Sequence, residues 1–380
     1  MRALVWAASG LLLLAVIALV GLDVFLRGKY QPVLDKVAED VTTNVDLFCE
    51  EQAKLAADPW FQAPRTEGDA GPLLNAWLGW DPGPKMPEDS PLRVPAHLPQ
   101  SSKDFDDWLT SDVDLSGLDF SWMARLHAFD RWDTMKHRPV PHEQPFNMLT
   151  ASVPHFVPLQ LWAKFRLRHG MRTGNTAEAS RDVRQLAWLA YRTDTLLGAM
   201  IATALLGMER KAHDAMASPP ADWRPMSVAQ TDRMRAVFWA SMVFSSIAAP
   251  LDVSQKARAC GQAITRCVGL SEAASMARYL KPFAEPSYRE AYAALGQDVA
   301  AAPCPTSLVR TIWEHGATLD DPPSPGSDMP DQPEWMRRLP RAYSGRHIGG
   351  ILLSLGIQDI SLLKKLRTGD AAPATADAAP

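Results

Sequence analysis

The feature that most constrains this chain of 380 residues is an uncharged apolar run close to its N-terminus. Residues 3–22 carry no charged side chain and consist mostly of Leu, Val, Ile and Ala. A helix of about 20 such residues, rising about 1.5 Å per residue, matches a hydrocarbon core about 30 Å thick. A cleaved signal peptide has a shorter apolar stretch and a small-x-small cleavage site, which the residues after Leu22 do not provide. The run predicts a transmembrane signal anchor over residues 1–29, with residues 3–26 in contact with the membrane.

Two observations bear on which side of the membrane the large domain occupies, and they disagree. Arg2 precedes the apolar run and Arg27, Lys29 and Lys36 follow it, so the positive-inside rule alone would leave the domain in the cytoplasm. Against this, an anchor with only one or two residues before it usually exports the bulk of the chain. We expect a single-pass membrane protein whose large domain is extracytoplasmic, in a periplasmic location.

The four cysteines favour the same location, because an even number suits two disulfides in an oxidising compartment. Cys260 and Cys267 could close a short loop, and Cys304 is the competing partner for either of them, which would leave Cys49 with the other. Four buried free thiols in a cytosolic domain are the alternative. None of the cysteines has the spacing of a zinc site.

Beyond the anchor, the composition divides the chain into four regions. A stem helix is predicted over residues 30–58, because Leu34, Val41, Phe48 and Leu55 recur every seven residues. This stripe permits self-association as a coiled coil, although so few heptads favour docking of the stem on its own domain. The remaining regions are a Pro/Trp/Asp-rich loop-and-helix region (59–158), an α-helical core region (159–366) and a disordered Ala/Pro tail (367–380).

No part of the chain shows sustained strand alternation. The predicted fold class is therefore all-α: an N-terminal transmembrane helix followed by an α-helical globular domain with long, Pro-rich, ordered loops. Helices are expected at residues 121–136, 159–172, 176–191, 194–217 and 227–248, and Ser227 with Gln230 has the spacing of a capping box. Five tryptophans fall where helices would pack and are predicted to build the core: Trp108, Trp122, Trp132, Trp162 and Trp188.

Residues 157–190, with two predicted helices joined at Gly174 and Asn175, resemble one hairpin of the tetratricopeptide family. In that family a Gly and an Ala allow the two helices to approach closely, and Gly174 and Ala179 stand in this stretch. We find no second copy at this period. A solenoid needs several repeats to bury its faces, so the resemblance implies a single helical hairpin.

The best cluster of chemically versatile side chains lies between residues 127 and 143. His127, Asp130 and His137 could ligate a metal, and His127, Asp130 and Glu143 could act as acid and base in a hydrolase. Recognised zinc, nucleophile and nucleotide motifs are lacking, so no catalytic residue, no metal and no cofactor are predicted, and an enzyme is the less favoured interpretation.

The charge of the chain is unevenly distributed. Residues 31–160 carry 10 basic and 21 acidic side chains, a net charge of −11, whereas residues 161–258 carry 14 and 8, a net charge of +6. The two halves could pack against each other, or the difference could mark a surface for a charged partner. One cationic group could bind phosphate or lipid headgroups, although a solvated helix face is the favoured interpretation: Arg166, Arg168, His169, Arg172, Arg181 and Arg184.

These observations favour a membrane-anchored envelope protein that acts as an interaction or scaffold component for a protein partner. The alternatives are an envelope hydrolase built around residues 127–143 and a lipid- or glycan-binding module that uses the many tryptophans. The whole-chain net charge of −4 gives no reason to expect nucleic-acid binding.

Overall fold

The computed structural model describes residues 69–139, 152–193 and 195–236 continuously, together with parts of residues 10–68 and residues 238 and 297. The protein is mostly helical, as the all-α prediction requires. The helices are α1 (Pro59–Gln62), α2 (Gly71–Trp77), α3 (Ser121–Arg125), α4 (Val157–Thr173), α5 (Thr176–Tyr191) and α6 (Leu196–Asp214), with 3₁₀ turns at Lys103–Phe105 and Leu126–Ala128. Residues 228–236 are also helical. Two antiparallel two-residue strands, β1 (Trp80–Asp81) and β2 (Val153–Pro154), are too short to leave an alternation in the sequence.

The hairpin of α4 and α5 is the centre of the fold, and α6 packs against both helices. Gly174 ends α4 in the left-handed conformation, with φ of 80°, where glycine has no steric penalty. Gly170 makes the close approach possible, because a Cβ there would lie 2.6 Å from the Cβ of Ala179. The predicted helical hairpin is therefore present, and Gly170 lies where its two helices approach closely.

The Pro-rich region between residues 69 and 139 is held on α4 by side chains that donate to its carbonyls. The Trp162 Nε1 donates to the Leu92 oxygen at 2.7 Å, and the Lys164 Nζ donates to the oxygens of Ser102 and Phe105 at 2.6 and 3.0 Å. Carbonyl groups that proline-rich segments cannot pair in regular elements thereby find donors on the helix. The expectation of ordered loops agrees with this arrangement.

The tryptophan core follows the prediction. Five tryptophans are buried, as expected from their positions: Trp108, Trp122, Trp132, Trp162 and Trp188. Trp122 and Trp162 meet edge to face with ring centroids 5.6 Å apart, the geometry that aromatic quadrupoles favour. Burial of rings from both the loop region and the hairpin joins the two parts into one core.

The predicted helix at residues 121–136 is wrong in length. The α-helix ends at Arg125, and after the 3₁₀ turn the chain becomes extended at Phe129. The amides of Asp130 and Arg131 donate to the Gly68 carbonyl, so backbone hydrogen bonds to another segment replace those that a helix would supply.

The C-terminal part of the stem docks on the domain. Leu55 is only 2% exposed and belongs to the core. Glu51, fully buried, forms ion pairs with Lys54 and Arg233, and the second of these joins the stem to the helix at residues 228–236. Cys49 is disulfide-bonded, and its partner lies outside the described residues.

The other residues of the predicted self-association stripe, Leu34, Val41 and Phe48, lie outside the described residues, as do Cys260, Cys267 and Cys304. Residues 13–22 are helical and exposed. Within the described part of the chain, no helix combines the length and the apolar character that crossing a bilayer requires.

Candidate functional site

A cavity of about 660 Å³ opens between α1, the Leu126–Ala128 turn, α5 and the segment at residues 224–230. Four arginines line it: Arg65, Arg181, Arg184 and Arg224. Asp58 is the single carboxylate among the described lining residues, and His127 completes the charged or titratable set. Trp60, Met226, Pro59 and Pro225 supply an apolar part of the wall. The cavity therefore combines a strongly cationic wall with an apolar one.

Arg184 is fixed in the cavity wall by two hydrogen bonds. Its Nε donates to Glu209 Oε1 at 2.7 Å, and its Nη2 donates to the Arg224 carbonyl oxygen at 2.5 Å. Glu209 is 0% exposed and also accepts from the Trp223 Nε1 at 2.8 Å. Burial raises the pKa of Glu209, while the Arg184 charge and these hydrogen bonds oppose the increase. This network joins α5, α6 and the segment after α6, and so positions Arg184 beside Arg224.

His127 is oriented by a buried carboxylate. Its Nε2 lies 2.8 Å from Asp182 Oδ1. Asp182 is 3% exposed and accepts from the Arg166 Nε at 2.6 Å through its other oxygen. Arg166 in turn pairs with the more exposed Glu178 at 3.1 Å. The imidazole, 41% exposed, is thus held at the cavity by a chain of charge-assisted contacts from α4 and α5.

The turn that carries His127 is itself attached to α5 through an amide. The Gln185 Nε2 donates to the oxygens of Leu126 and Phe129, at 3.0 and 2.6 Å. These carbonyl groups belong to the first residue of the 3₁₀ turn and to the residue that follows the turn. Gln185 therefore fixes the position of His127 relative to the arginines of α5.

Arg65 occupies the aromatic side of the cavity. Its guanidinium carbon lies 3.6 Å from the centroid of the Trp188 ring, and its Nη atoms donate to the Trp60 carbonyl at 3.3 Å. Burial lowers the pKa of Arg65 to about 10, and the charge of Asp130 opposes this decrease. The guanidinium remains a cation at neutral pH, stabilised by the ring face.

Asp58 closes the cavity on the side of the stem. Its Oδ2 accepts from the Gln230 Nε2 at 2.5 Å, and its Oδ1 accepts from the Trp60 amide at 2.9 Å. Gln230 also forms the predicted capping box, since its amide donates to Ser227 Oγ at 3.1 Å and the Ser227 amide donates to Gln230 Oε1 at 2.7 Å. This prediction is confirmed, and the same cap places Gln230 in the cavity wall.

Negative and positive side chains lie at different depths around the cavity. The carboxylates of Glu209 and Asp182 are buried behind the wall, whereas Arg181 and Arg224 are exposed toward solvent. Arg181 makes a long 3.4 Å hydrogen bond to the Ala177 oxygen within its own helix. Guanidinium groups present several donors in a fixed plane and pair with carboxylate or phosphate oxygens. The chemistry of the wall is that of an anion site.

The six basic residues from Arg166 to Arg184 fall into two sets, of which one contacts the rest of the domain and the other lines the cavity. Arg168 and Arg172 donate to loop carbonyls, at 2.5 Å to Leu109 and 2.7 Å to Val113, and His169 packs on the Phe120 ring with centroids 5.2 Å apart. Arg166 donates to Asp182. Arg181 and Arg184 are the members that reach the cavity.

The described residues of the chemical cluster predicted at positions 127–143 lie in different surroundings. Asp130 contributes its carbonyl oxygen, which accepts from the Trp188 Nε1 at 2.6 Å, and His137 is exposed. Glu143 lies outside the described residues. Among the residues that the structure describes, no three His, Cys, Asp or Glu side chains are grouped to hold a metal ion.

Sequence reasoning missed Asp182, Glu209, Arg65 and Arg224. A partial signal exists for α5, where Arg181, Arg184 and Gln185 lie three and four residues apart and therefore share a helix face. The chain matches no protein-family model, and neither curated proteins nor solved structures provide a match.

Proposed function

We propose that this protein is a membrane-anchored, extracytoplasmic interaction domain that binds an anionic group of its partner in the arginine-lined cavity. The observation that carries the proposal is the cavity itself, with four arginines facing one carboxylate among its described lining residues. Two buried carboxylates keep Arg184 and His127 in place without competing for the cavity. Such preorganisation lowers the ordering cost of binding.

Support for the anchor comes from the N-terminal segment. The chain carries 20 consecutive uncharged residues there, and Leu14 and Phe25 are more than half exposed. Exposed large apolar side chains on a helix are costly in water and favourable in lipid. Membrane attachment is tested by washing membranes with carbonate. The full-length chain should stay in the pellet, and recovery of a soluble form that begins near residue 25–30 would contradict the proposed anchor.

The binding activity is tested with the purified full-length chain in a neutral detergent. We expect anionic ligands to bind with an affinity that falls as salt rises, because the wall is cationic. Replacing Arg181 and Arg224 together by Gln should abolish most of this binding. A variant with Lys103 and Lys211 replaced by Gln loses the same charge at exposed positions away from the cavity and is the matched control. Equal loss in both variants would show a non-specific charge effect and refute the cavity as the site.

A specific observation also favours a second function, an envelope hydrolase. A histidine held by a buried carboxylate is the arrangement of a general acid or base, and His127 with Asp182 has this geometry beside a site for an anionic substrate. A hydrolase would lose turnover on replacement of His127 by Gln while retaining ligand affinity. An interaction domain would show no turnover of bound ligand, either as the wild type or as the His127→Gln variant.

A further inference from the structure

We propose that the group received by the cavity is a phosphomonoester, bound by Arg181, Arg184 and Arg224 and carried on an apolar or aromatic body. This inference rests on the proposed anion-binding function and adds the class of ligand. It concerns the part of the cavity wall that these three arginines line.

The three arginines are neighbours in space. Arg181 and Arg184 are separated by one turn of α5, a spacing that places side chains about 5–6 Å apart. Arg184 donates to the Arg224 backbone oxygen at 2.5 Å, so the segment that carries Arg224 lies directly against this turn. All three side chains line the same cavity. Three cations from two elements therefore converge on one volume.

The number of donors distinguishes phosphate from carboxylate. A carboxylate has two oxygens in a plane and is satisfied by one guanidinium fork, whereas a phosphomonoester has three terminal oxygens and a charge of about −1.5 to −2 at neutral pH. Arg184 already shares its charge with Glu209. Arg181 and Arg224, both exposed, then provide about two further positive charges, which match a dianion better than a single carboxylate.

The apolar part of the wall indicates what carries the phosphate. Trp60 and Met226 are largely buried and line the cavity, together with two proline rings. Trp60 is held edge to face against Trp188 with centroids 5.6 Å apart, so its ring has a fixed orientation. A ligand whose phosphate meets the arginines can cover this surface with an aromatic or aliphatic body, which adds affinity that inorganic phosphate cannot gain.

The test compares phenyl phosphate, inorganic phosphate and benzoate by titration calorimetry on the full-length chain in neutral detergent. We expect phenyl phosphate to bind at least tenfold more tightly than either of the others. The variants Arg181→Gln and Arg224→Gln should each lower the affinity for phenyl phosphate by about tenfold or more, as expected for loss of a charge-assisted hydrogen bond. The double variant with Lys103 and Lys211 replaced by Gln should bind phenyl phosphate with an affinity within about twofold of that of the wild type.

The possible sources of the phosphate are separated by a competition arm. Displacement of phenyl phosphate by short-chain phosphatidic acid, but not by the corresponding phosphatidylcholine, would assign a lipid headgroup. Failure of phosphatidic acid to compete, with phenyl phosphate still bound, would assign a soluble phosphomonoester. Benzoate that binds as tightly as phenyl phosphate and depends on Arg181 and Arg224 would overturn the phosphate inference and leave the anion-binding function intact. Binding of none of these anions would overturn both.

Discussion

Replacing Asp182 by Asn tests the buried network that orients His127. Asp182 accepts from the Arg166 Nε at 2.6 Å and lies 2.8 Å from His127 Nε2, with a side chain only 3% exposed. An amide of the same shape carries no charge, and its NH2 group replaces one of the two oxygens that accept or face these partners. Arg166, 6% exposed, would keep Glu178, which is 59% exposed, as its remaining carboxylate partner.

The magnitude follows from this geometry. Removing one partner of a buried ion pair costs about 3–5 kcal/mol, because an uncompensated charge stays buried. Since Glu178 retains part of the contact to Arg166, we expect the lower end, about 3 kcal/mol less free energy of unfolding. Replacing Arg166 by Met should cost a similar amount, since it leaves the buried Asp182 with the half-exposed His127 in place of its arginine partner. The double variant buries no unpaired charge here, so its loss should be about 3 kcal/mol rather than the sum of about 6 kcal/mol.

The assay is urea unfolding of the full-length chain in neutral detergent, monitored by tryptophan fluorescence. The free energy of unfolding is compared among the wild type, the two single variants and the double variant. A coupling of about 2–3 kcal/mol between the two positions is the expected result. Additive losses, within about 0.5 kcal/mol, would show that Asp182 and Arg166 do not act as a pair and would refute the reasoning.

Three further predictions concern other contacts. Replacing Asn75 by Ala should lower the free energy of unfolding by about 2–4 kcal/mol in urea titration, because the Trp132 Nε1 and the Asp133 oxygen, at 2.8 and 2.9 Å, lose a buried partner; an unchanged midpoint would contradict this. Gly170→Val should separate α4 from α5 and destabilise by more than about 2 kcal/mol, whereas Gly117→Ala, with open space around it, should stay within about 0.5 kcal/mol; equal midpoints would refute the close contact. The pKa of Glu209 is raised above 4.5, so the folded state binds a proton that the unfolded state has released, and this group should make stability fall as pH rises from 4.5 through the folded pKa. Glu209→Gln should remove that part of the slope in unfolding measured across pH 4–7, and an identical slope would contradict the prediction.

The hairpin and its neighbours could be predicted from the sequence because their signals are local. The bounds predicted for the two hairpin helices agree with Val157–Thr173 and Thr176–Tyr191 to within two residues. Gly174 marks the end of the first helix, and Ser227 with Gln230 marks the start of a later one, because each residue acts on backbone groups within a few positions of itself. The buried tryptophans were also predictable, since a large apolar ring at a position where helices pack favours burial.

The candidate site could not be predicted in the same way, because its pairs are far apart in the chain. His127 meets Asp182 across 55 residues, and Arg184 meets Glu209 across 25. The pattern around residue 127 suggested Asp130 as the partner on the assumption of a continuous helix. The helix ends at Arg125 instead, because the following amides bond to the Gly68 carbonyl, and this long-range contact turns the Asp130 segment away from a helical path.

The support of each arginine separates the stability of the cavity from its function. Arg184 is balanced by Glu209, and Arg65 is stabilised by the Trp188 ring and the charge of Asp130. Arg181 and Arg224, by contrast, are exposed and add positive charge beside these two cations. Like charges that line one cavity repel one another, so the folded state gains little from Arg181 and Arg224 in the absence of a ligand. An anion in the cavity would balance both, and for this reason the proposed role of Arg181 and Arg224 is in binding rather than in holding the fold together.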